Sequence, residues 1–144
     1  MRKVLLDTSV LVPALVQALP RHERARQHLQ SALSRDAALY VAAHSLAELY
    51  AVLTRLPMSP RIGPQPARRL IDDNLAAAEI VSLEAADYQS VLDRCAELNL
   101  TGGVIYDALI ARAAEKAGAD ELLTFNVRDF NRVWPAGESV IVEA

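Results

Sequence analysis

Short apolar runs of strand length recur along the chain, at 3–6, 39–42, 79–83, 121–125 and 139–142, and helix-length segments separate each from the next. Between them the residues of 21–33, 45–56, 66–77, 85–98 and 104–117 place apolar side chains at helical spacing, and Gly118 is a natural stop for the last of these. The polar triplet Asp7, Thr8, Ser9 follows the first run and precedes a second apolar stretch from Val10 to Leu19. That order predicts strand, turn, helix. The stretch from Pro57 to Pro66 holds four prolines and a glycine, which predicts a loop or the start of the next helix. Strands alternating with helices predict a single domain over 1–144: a three-layer α/β/α fold around a central, mostly parallel sheet of about five strands.

Composition narrows the setting. A chain of 144 residues with 52% apolar content has the size of one ordinary domain, and it can build a core without disulfides. The only cysteine, Cys95, cannot pair within the chain, and its helical stripe with Val91, Leu92 and Leu98 assigns it to the core. A reducing compartment, the cytoplasm, is therefore expected. Arg2 and Lys3 before an apolar run imitate a secretion signal, but Asp7 interrupts it and the stretch Val10–Leu19 is too short to span a bilayer. No membrane association is expected. The formal net charge of −3 is the wrong sign for gripping nucleic acid by charge alone. Thirteen of the fifteen basic residues are arginine, the better phosphate fork, although a GC-rich coding sequence also produces that bias.

The acids carry the chemistry. In an open α/β sheet, sites form where strands end and helices begin. Asp7 stands at such a point, either as a helix cap or as a functional carboxylate. On the helix 104–117, Arg112, Glu115 and Lys116 fall on one side and Asp107 on the other, among Ile110, Ala111 and Ala114. An acid there is costly unless a first-turn bond or a cation compensates it. Glu48 shares its side of a helix with Ala51 and Val52, and Asp129 follows the strand 121–125, where Asn126 is a candidate cap. Two carboxylates ~4 Å apart repel by about 4 kcal/mol at an effective dielectric of about 20, so a cluster either takes up protons or binds a dication. All-oxygen donors select Mg²⁺ or Mn²⁺.

The order and spacing of these pieces resemble the PIN-domain nucleases, most closely the VapC toxins. The resemblance runs from Asp7-Thr8-Ser9, through Glu48 in a helix begun by His44 and Ser45, to Tyr106-Asp107-Ala108-Leu109-Ile110-Ala111 and the segment Leu122 to Phe130. It implies that Asp7, Glu48 and Asp107 form an acidic triad holding Mg²⁺ or Mn²⁺. Asn126 or Asp129 would be a fourth ligand, with Thr8 and Thr124 orienting ligands or water. It further implies an endoribonuclease acting as the toxin of a toxin–antitoxin pair, a homodimer, and an antitoxin partner that covers the acidic pocket.

Other chemistries fit less well. His22, His28 and His44 show no pairing of the kind a metal-independent ribonuclease uses, and Gly102 and Gly103 stand without the rest of a phosphate-binding motif. A haloacid-dehalogenase-type phosphotransferase would want a second aspartate two residues after Asp7, where this chain has Ser9. A non-catalytic interaction module of the same fold is the remaining alternative. Apolar residues on several faces of Val10–Leu19 exceed what a small monomer would bury, which predicts a dimer or bound partner.

Overall fold

The computed structural model describes residues 1–144. β1 (Arg2–Leu6) passes through Asp7 into α1 (Thr8–Leu15), and α2 (His22–Ala32) returns the chain to β2 (Ala37–Ala42). Next come α3 (Ala43–Arg55), α4 (Pro64–Leu75) and β3 (Glu79–Val81), then α5 (Ala85–Glu97), α6 (Val104–Ala117) and β4 (Glu121–Thr124). A short α7 (Val127–Val133) and a 3-10 turn at Pro135–Gly137 lead into β5 (Ile141–Glu143). The strands lie in the order β3-β2-β1-β4-β5 and every pairing is parallel.

The period-2 alternation of β1 sets the three layers. Val4 and Leu6 enter one core with Leu11, Leu29, Leu49 and Ile71 of the helices α1 to α4. Leu5, between them, enters the other with Val91, Ile110 and Phe130 of α5, α6 and α7. With both faces covered, the central strands can be apolar throughout.

The outer strands are shorter than the apolar pattern suggests. β3 stops at Val81 and β5 is displaced to Ile141–Glu143, since an edge strand pairs on one side only and its apolar flanks pack without joining the ladder. α4 starts at Pro64, so Pro64 and Pro66 occupy its first turn, where a missing N–H costs no helical bond.

α1 shows where the apolar excess of the segment after Asp7 goes. Its residues from Val10 to Leu15 are all buried, because the helix is enclosed by α2, α3, α4 and β4. The apolar excess of Val10–Leu15 is satisfied inside the chain, whereas Ala18 is exposed and Leu19 half-buried beyond the helix. Val91 and Cys95 are buried as expected, whereas Leu92 and Leu98 of the same stripe turn outward.

The charged side of α6 docks on α5. Asp87 Oδ1 accepts from Arg112 at 2.9 Å and Oδ2 from Lys116 at 2.8 Å, while Glu115 meets Arg94 at 3.1 Å and Arg112 at 2.8 Å. The Lys116 hydrogen bond and the Glu84 backbone N–H hold the Asp87 carboxyl down at about 2. No helix is long and apolar enough to cross a membrane.

Candidate active site

After β1 the chain moves outward through β2 and β3, then returns to the opposite side of β1 as β4. Such a reversal opens a crevice at the carboxyl ends of the strands. Asp7 sits in it, with its N–H bonded to the Leu123 carbonyl at 3.0 Å.

Asp7 occupies the N-cap position of α1, yet its side chain makes no cap hydrogen bond. Instead Oδ2 accepts from Ser9 Oγ at 2.7 Å and from Thr124 Oγ1 at 2.8 Å. Each hydroxyl is itself oriented by a backbone donor: Phe125 N–H reaches Ser9 Oγ at 3.0 Å, and Asn126 N–H reaches Thr124 Oγ1 at 2.9 Å. A hydroxyl has one proton to give, so accepting from the backbone aims that proton at the carboxylate. Asp7 is only 3% exposed. Burial pushes its pKa above the usual value, and the hydroxyls of Ser9 and Thr124 partly oppose that.

Thr8 ties the other side of the crevice. Its hydroxyl donates to Glu48 Oε1 at 2.8 Å and stands 3.0 Å from the fully buried Ser45 Oγ. Glu48 projects from α3 one turn beyond His44, whose Nε2 lies 3.8 Å from Oε1 and is buried without a hydrogen-bond partner. Asp107 stands in the first turn of α6. Its pKa rises from 3.8 to about 7, first through burial and then through the charges of Asp7, Asp129 and Glu48.

Asp7, Glu48, Asp107 and Asn126 line one cleft of about 350 Å³, with Thr8 and Ser9 between them. Asp129, in the first turn of α7, is outside that lining; its charge reaches Asp107, and Arg132 lies 3.9 Å from it. No three of the acids are drawn tightly enough to form a coordination shell as they stand. Asp87 provides the contrast: two cations hold its pKa down, whereas no lysine or arginine pairs with Asp7, Glu48 or Asp107. An all-oxygen donor set with uncompensated negative charge fits a hard dication.

Two aromatic contacts flank the cleft. His44 and Tyr106 stack with centroids 5.2 Å apart and planes 5° apart. Toward β4, the Arg21 guanidinium lies over the Phe125 ring, 4.4 Å from its centroid. Arg21 is exposed and pairs with no carboxylate.

Comparison with known proteins identifies the family. The family model described as the PIN domain matches residues 4–134. Ribonuclease VapC27 of Mycobacterium tuberculosis (strain ATCC 25618 / H37Rv) is 38% identical over 140 residues, covering 96% of each chain. Ribonuclease VapC40 of the same species (strain CDC 1551 / Oshkosh) is 38% identical over 122 residues, covering 85% of each. Among solved structures, Mycobacterium tuberculosis VapC20, a sarcin-ricin loop cleaving toxin, superposes with a TM-score of 0.71 at 16% identity, over 93% of this chain and 95% of that one. VapBC2 from Rickettsia felis, bound to a DNA fragment from its promoter, gives 0.70 at 20% identity over 98% of each. The chain belongs to the PIN-domain family.

Several contributors escaped the sequence reading. Ser9 and Ser45 read from the sequence as residues at helix starts, and only the fold sets Ser9 Oγ against Asp7 and the buried Ser45 Oγ against Thr8. His44 looked bland, yet it meets both Tyr106 and Glu48. His22 and His28 keep ordinary roles: His22 Nδ1 donates to the Pro13 carbonyl at 2.8 Å, and burial lowers the His28 pKa in a separate crevice beside Arg2 and Glu121. Ser9, which stands where a phosphotransferase would carry its second aspartate, serves to hold Asp7.

Proposed function

We propose that this chain is a divalent-metal-dependent endoribonuclease and the toxin of a type II toxin–antitoxin pair. The observation that carries the reading is the convergence of Asp7, Glu48, Asp107 and Asn126 on one cleft, without a balancing cation, in a PIN-domain chain 38% identical to proteins named as ribonucleases.

Asp7, Glu48 and Asp107 would hold Mg²⁺ or Mn²⁺, with Asn126 or Asp129 as the fourth ligand and Thr8 and Thr124 as orienting hydroxyls. When bound, the metal supplies a water of lowered pKa and positive charge for the phosphate oxygens. The protein's part is placement. Ser9 and Thr124 fix Asp7 through Oδ2, which leaves Oδ1 without a side-chain partner. Thr8 holds the Glu48 carboxylate. Asp107 must release its proton to act as a ligand, so occupancy couples to pH. Arg21, stacked on Phe125, would meet a phosphate of the incoming strand, supplying locally the cation that the net charge of −3 lacks.

Attack by water on the phosphorus, with the P–O3′ bond breaking and the 3′-oxygen leaving with a proton, gives 5′-phosphate and 3′-hydroxyl ends. An antitoxin partner is the reading we take from the family resemblance, and it is in keeping with the fold likeness to VapBC2, solved bound to a DNA fragment from its promoter. A homodimer would use other surface than α1; Tyr88 and Leu92, one turn apart on α5, are 44% and 49% exposed. Work in the cytoplasm fits a chain with a single buried thiol.

The decisive experiment is cleavage of single-stranded RNA by the purified chain with Mn²⁺, followed by end analysis of the products. Activity abolished by EDTA and absent in Asp7→Asn, Glu48→Gln and Asp107→Asn supports the reading. Cleavage that persists in EDTA, or 2′,3′-cyclic phosphate ends, would sink it.

A further inference from the structure

The His44–Tyr106 stack presents a surface that the acid chemistry does not use. Its rings come from two elements, the first turn of α3 and the first turn of α6. Their planes differ by only 5°. Imidazole covers one face of Tyr106, yet the residue stays 50% exposed, while the next five residues of α6, apart from Asp107, are buried.

Approach to the ring is open. Gly102 has φ +70, and a Cβ there would meet nothing within 4 Å. At Gly103 the nearest atom a Cβ would meet is the Tyr106 ring itself, at 3.9 Å. The two glycines strip side chains from the turn that leads into the tyrosine.

The position relative to the cleft gives the stack its meaning. His44 stands one turn before Glu48, with Nε2 3.8 Å from the carboxylate, and Tyr106 immediately precedes Asp107. Through His44 the half-exposed Tyr106 is linked to one acid, and along the chain it is the neighbour of another, which sets its ring beside the cleft.

We propose that Tyr106 is a stacking platform for one unpaired nucleobase next to the scissile phosphate, with His44 as the backing ring that fixes its plane. The inference rests on the ribonuclease reading and adds a base-binding position to it. Bases of single-stranded RNA are commonly held on aromatic faces, because every base has a π-face to offer. An acidic cleft repels the phosphate backbone, so affinity must be supplied beside it. A ring already fixed by a parallel neighbour loses little freedom when a base settles on it. A clasp between α3 and α6 would need only the face stacked on His44 and gives no reason for leaving the tyrosine half exposed.

The test uses full-length protein carrying Asp7→Asn, which blocks cleavage, and short single-stranded RNAs with 2-aminopurine at successive positions. Binding should quench fluorescence at one position. Tyr106→Phe should retain that quench, whereas Tyr106→Leu and Tyr106→Ala lose it and weaken binding roughly tenfold. In the cleaving chain the same two substitutions should raise KM by a similar factor and leave kcat little changed. Absence of quenching at every position, or Tyr106→Leu behaving as Tyr106→Phe does, overturns the platform. So does Tyr106→Ala binding RNA as tightly as the parent while only lowering Tm, which would mark a clasp. The two readings fail separately: quenching without cleavage by the wild-type chain removes the nuclease and keeps the platform, and cleavage without quenching does the reverse.

Discussion

Thr124, fully buried at the end of β4, donates its hydroxyl to Asp7 Oδ2 at 2.8 Å across the gap between β4 and β1. Asn126 N–H donates to that hydroxyl at 2.9 Å, which favours aiming its proton at Asp7 over Ser9 Oγ, 3.3 Å away. Thr124→Val keeps the shape and removes the bond. Losing a hydrogen bond that orients a metal ligand lowers metal affinity or activity roughly 10- to 100-fold. The expected result is a higher Mn²⁺ midpoint for cleavage, with Thr124→Ser restoring it. Unchanged metal titration in Thr124→Val would show that Ser9 alone fixes Asp7.

Asp107 makes stability depend on pH in an unusual direction. Its pKa is raised from 3.8 to about 7 by burial and then by Asp7, Asp129 and Glu48. The folded state therefore binds this proton more tightly than the unfolded chain. The associated stability is present below pH about 4 and is lost as pH climbs toward about 7. In EDTA, Tm should fall over that window, and Asp107→Asn should flatten the fall and melt higher than wild type at neutral pH while remaining inactive. Mn²⁺ should restore Tm to the wild type and not to the variant. A wild-type Tm that rises across the same window beyond what the other groups account for in Asp107→Asn would contradict the assignment.

Asp87 has the opposite sign. Lys116, with the Glu84 N–H and Arg112, keeps its carboxyl at about 2, below its ordinary 3.8. Its contribution is complete above pH about 4 and disappears as pH drops toward 2. Asp87→Asn should melt below wild type at pH 7 and lose less on acidification. Cleavage should survive at temperatures below its melting point, since this network joins α5 to α6 away from the cleft. Equal acid sensitivity in the two proteins would remove the ion pairs from the explanation.

The layered architecture was legible because β1 and β4 are apolar runs bounded by polar residues, and because the helical stripes are regular. Asp107 was legible too: an acid among Ile110, Ala111 and Ala114 conflicts with its own helix unless something compensates it. Less legible were features that require two distant elements at once. Nothing near Ser9 indicates Thr124, and nothing near His44 indicates Tyr106, since both partnerships arise only when β4 or α6 is laid beside its neighbour. Where most of the apolar excess of Val10–Leu19 goes was hidden for the same reason. Periodicity reports that a helix is apolar on several faces, but not that α2, α3, α4 and β4 surround it.

Gly137 tests the close packing at the end of the second core. A Cβ at that position would fall inside the indole of Trp134, overlapping three of its ring atoms. Trp134 is 7% exposed and is the only tryptophan. Gly137→Ala must displace it, at an expected cost of about 1–3 kcal/mol. Intrinsic fluorescence would report both effects: a red-shifted native spectrum and a lower urea midpoint. A variant with wild-type spectrum and midpoint would mean that the 3-10 turn, not the indole, yields.

Arg21 offers a test of how an acidic protein holds a polyanion. Its guanidinium lies over Phe125, which precedes the cleft residue Asn126, and no carboxylate neutralises it. A cation fixed in this way meets a phosphate with its donors already oriented, whereas a free side chain must first be ordered. If it neutralises one phosphate of the bound strand, Arg21→Ala should raise KM and reduce the slope of log KM against log salt by about 0.7, the value for one contact on a single strand. Arg21→Lys should recover the slope but not the whole of KM, because an ammonium keeps the charge and loses the planar fork. Phe125→Leu should resemble Arg21→Lys, with charge retained and orientation lost. A slope unchanged by Arg21→Ala would assign phosphate contact to other arginines, and the stack on Phe125 would then be packing alone.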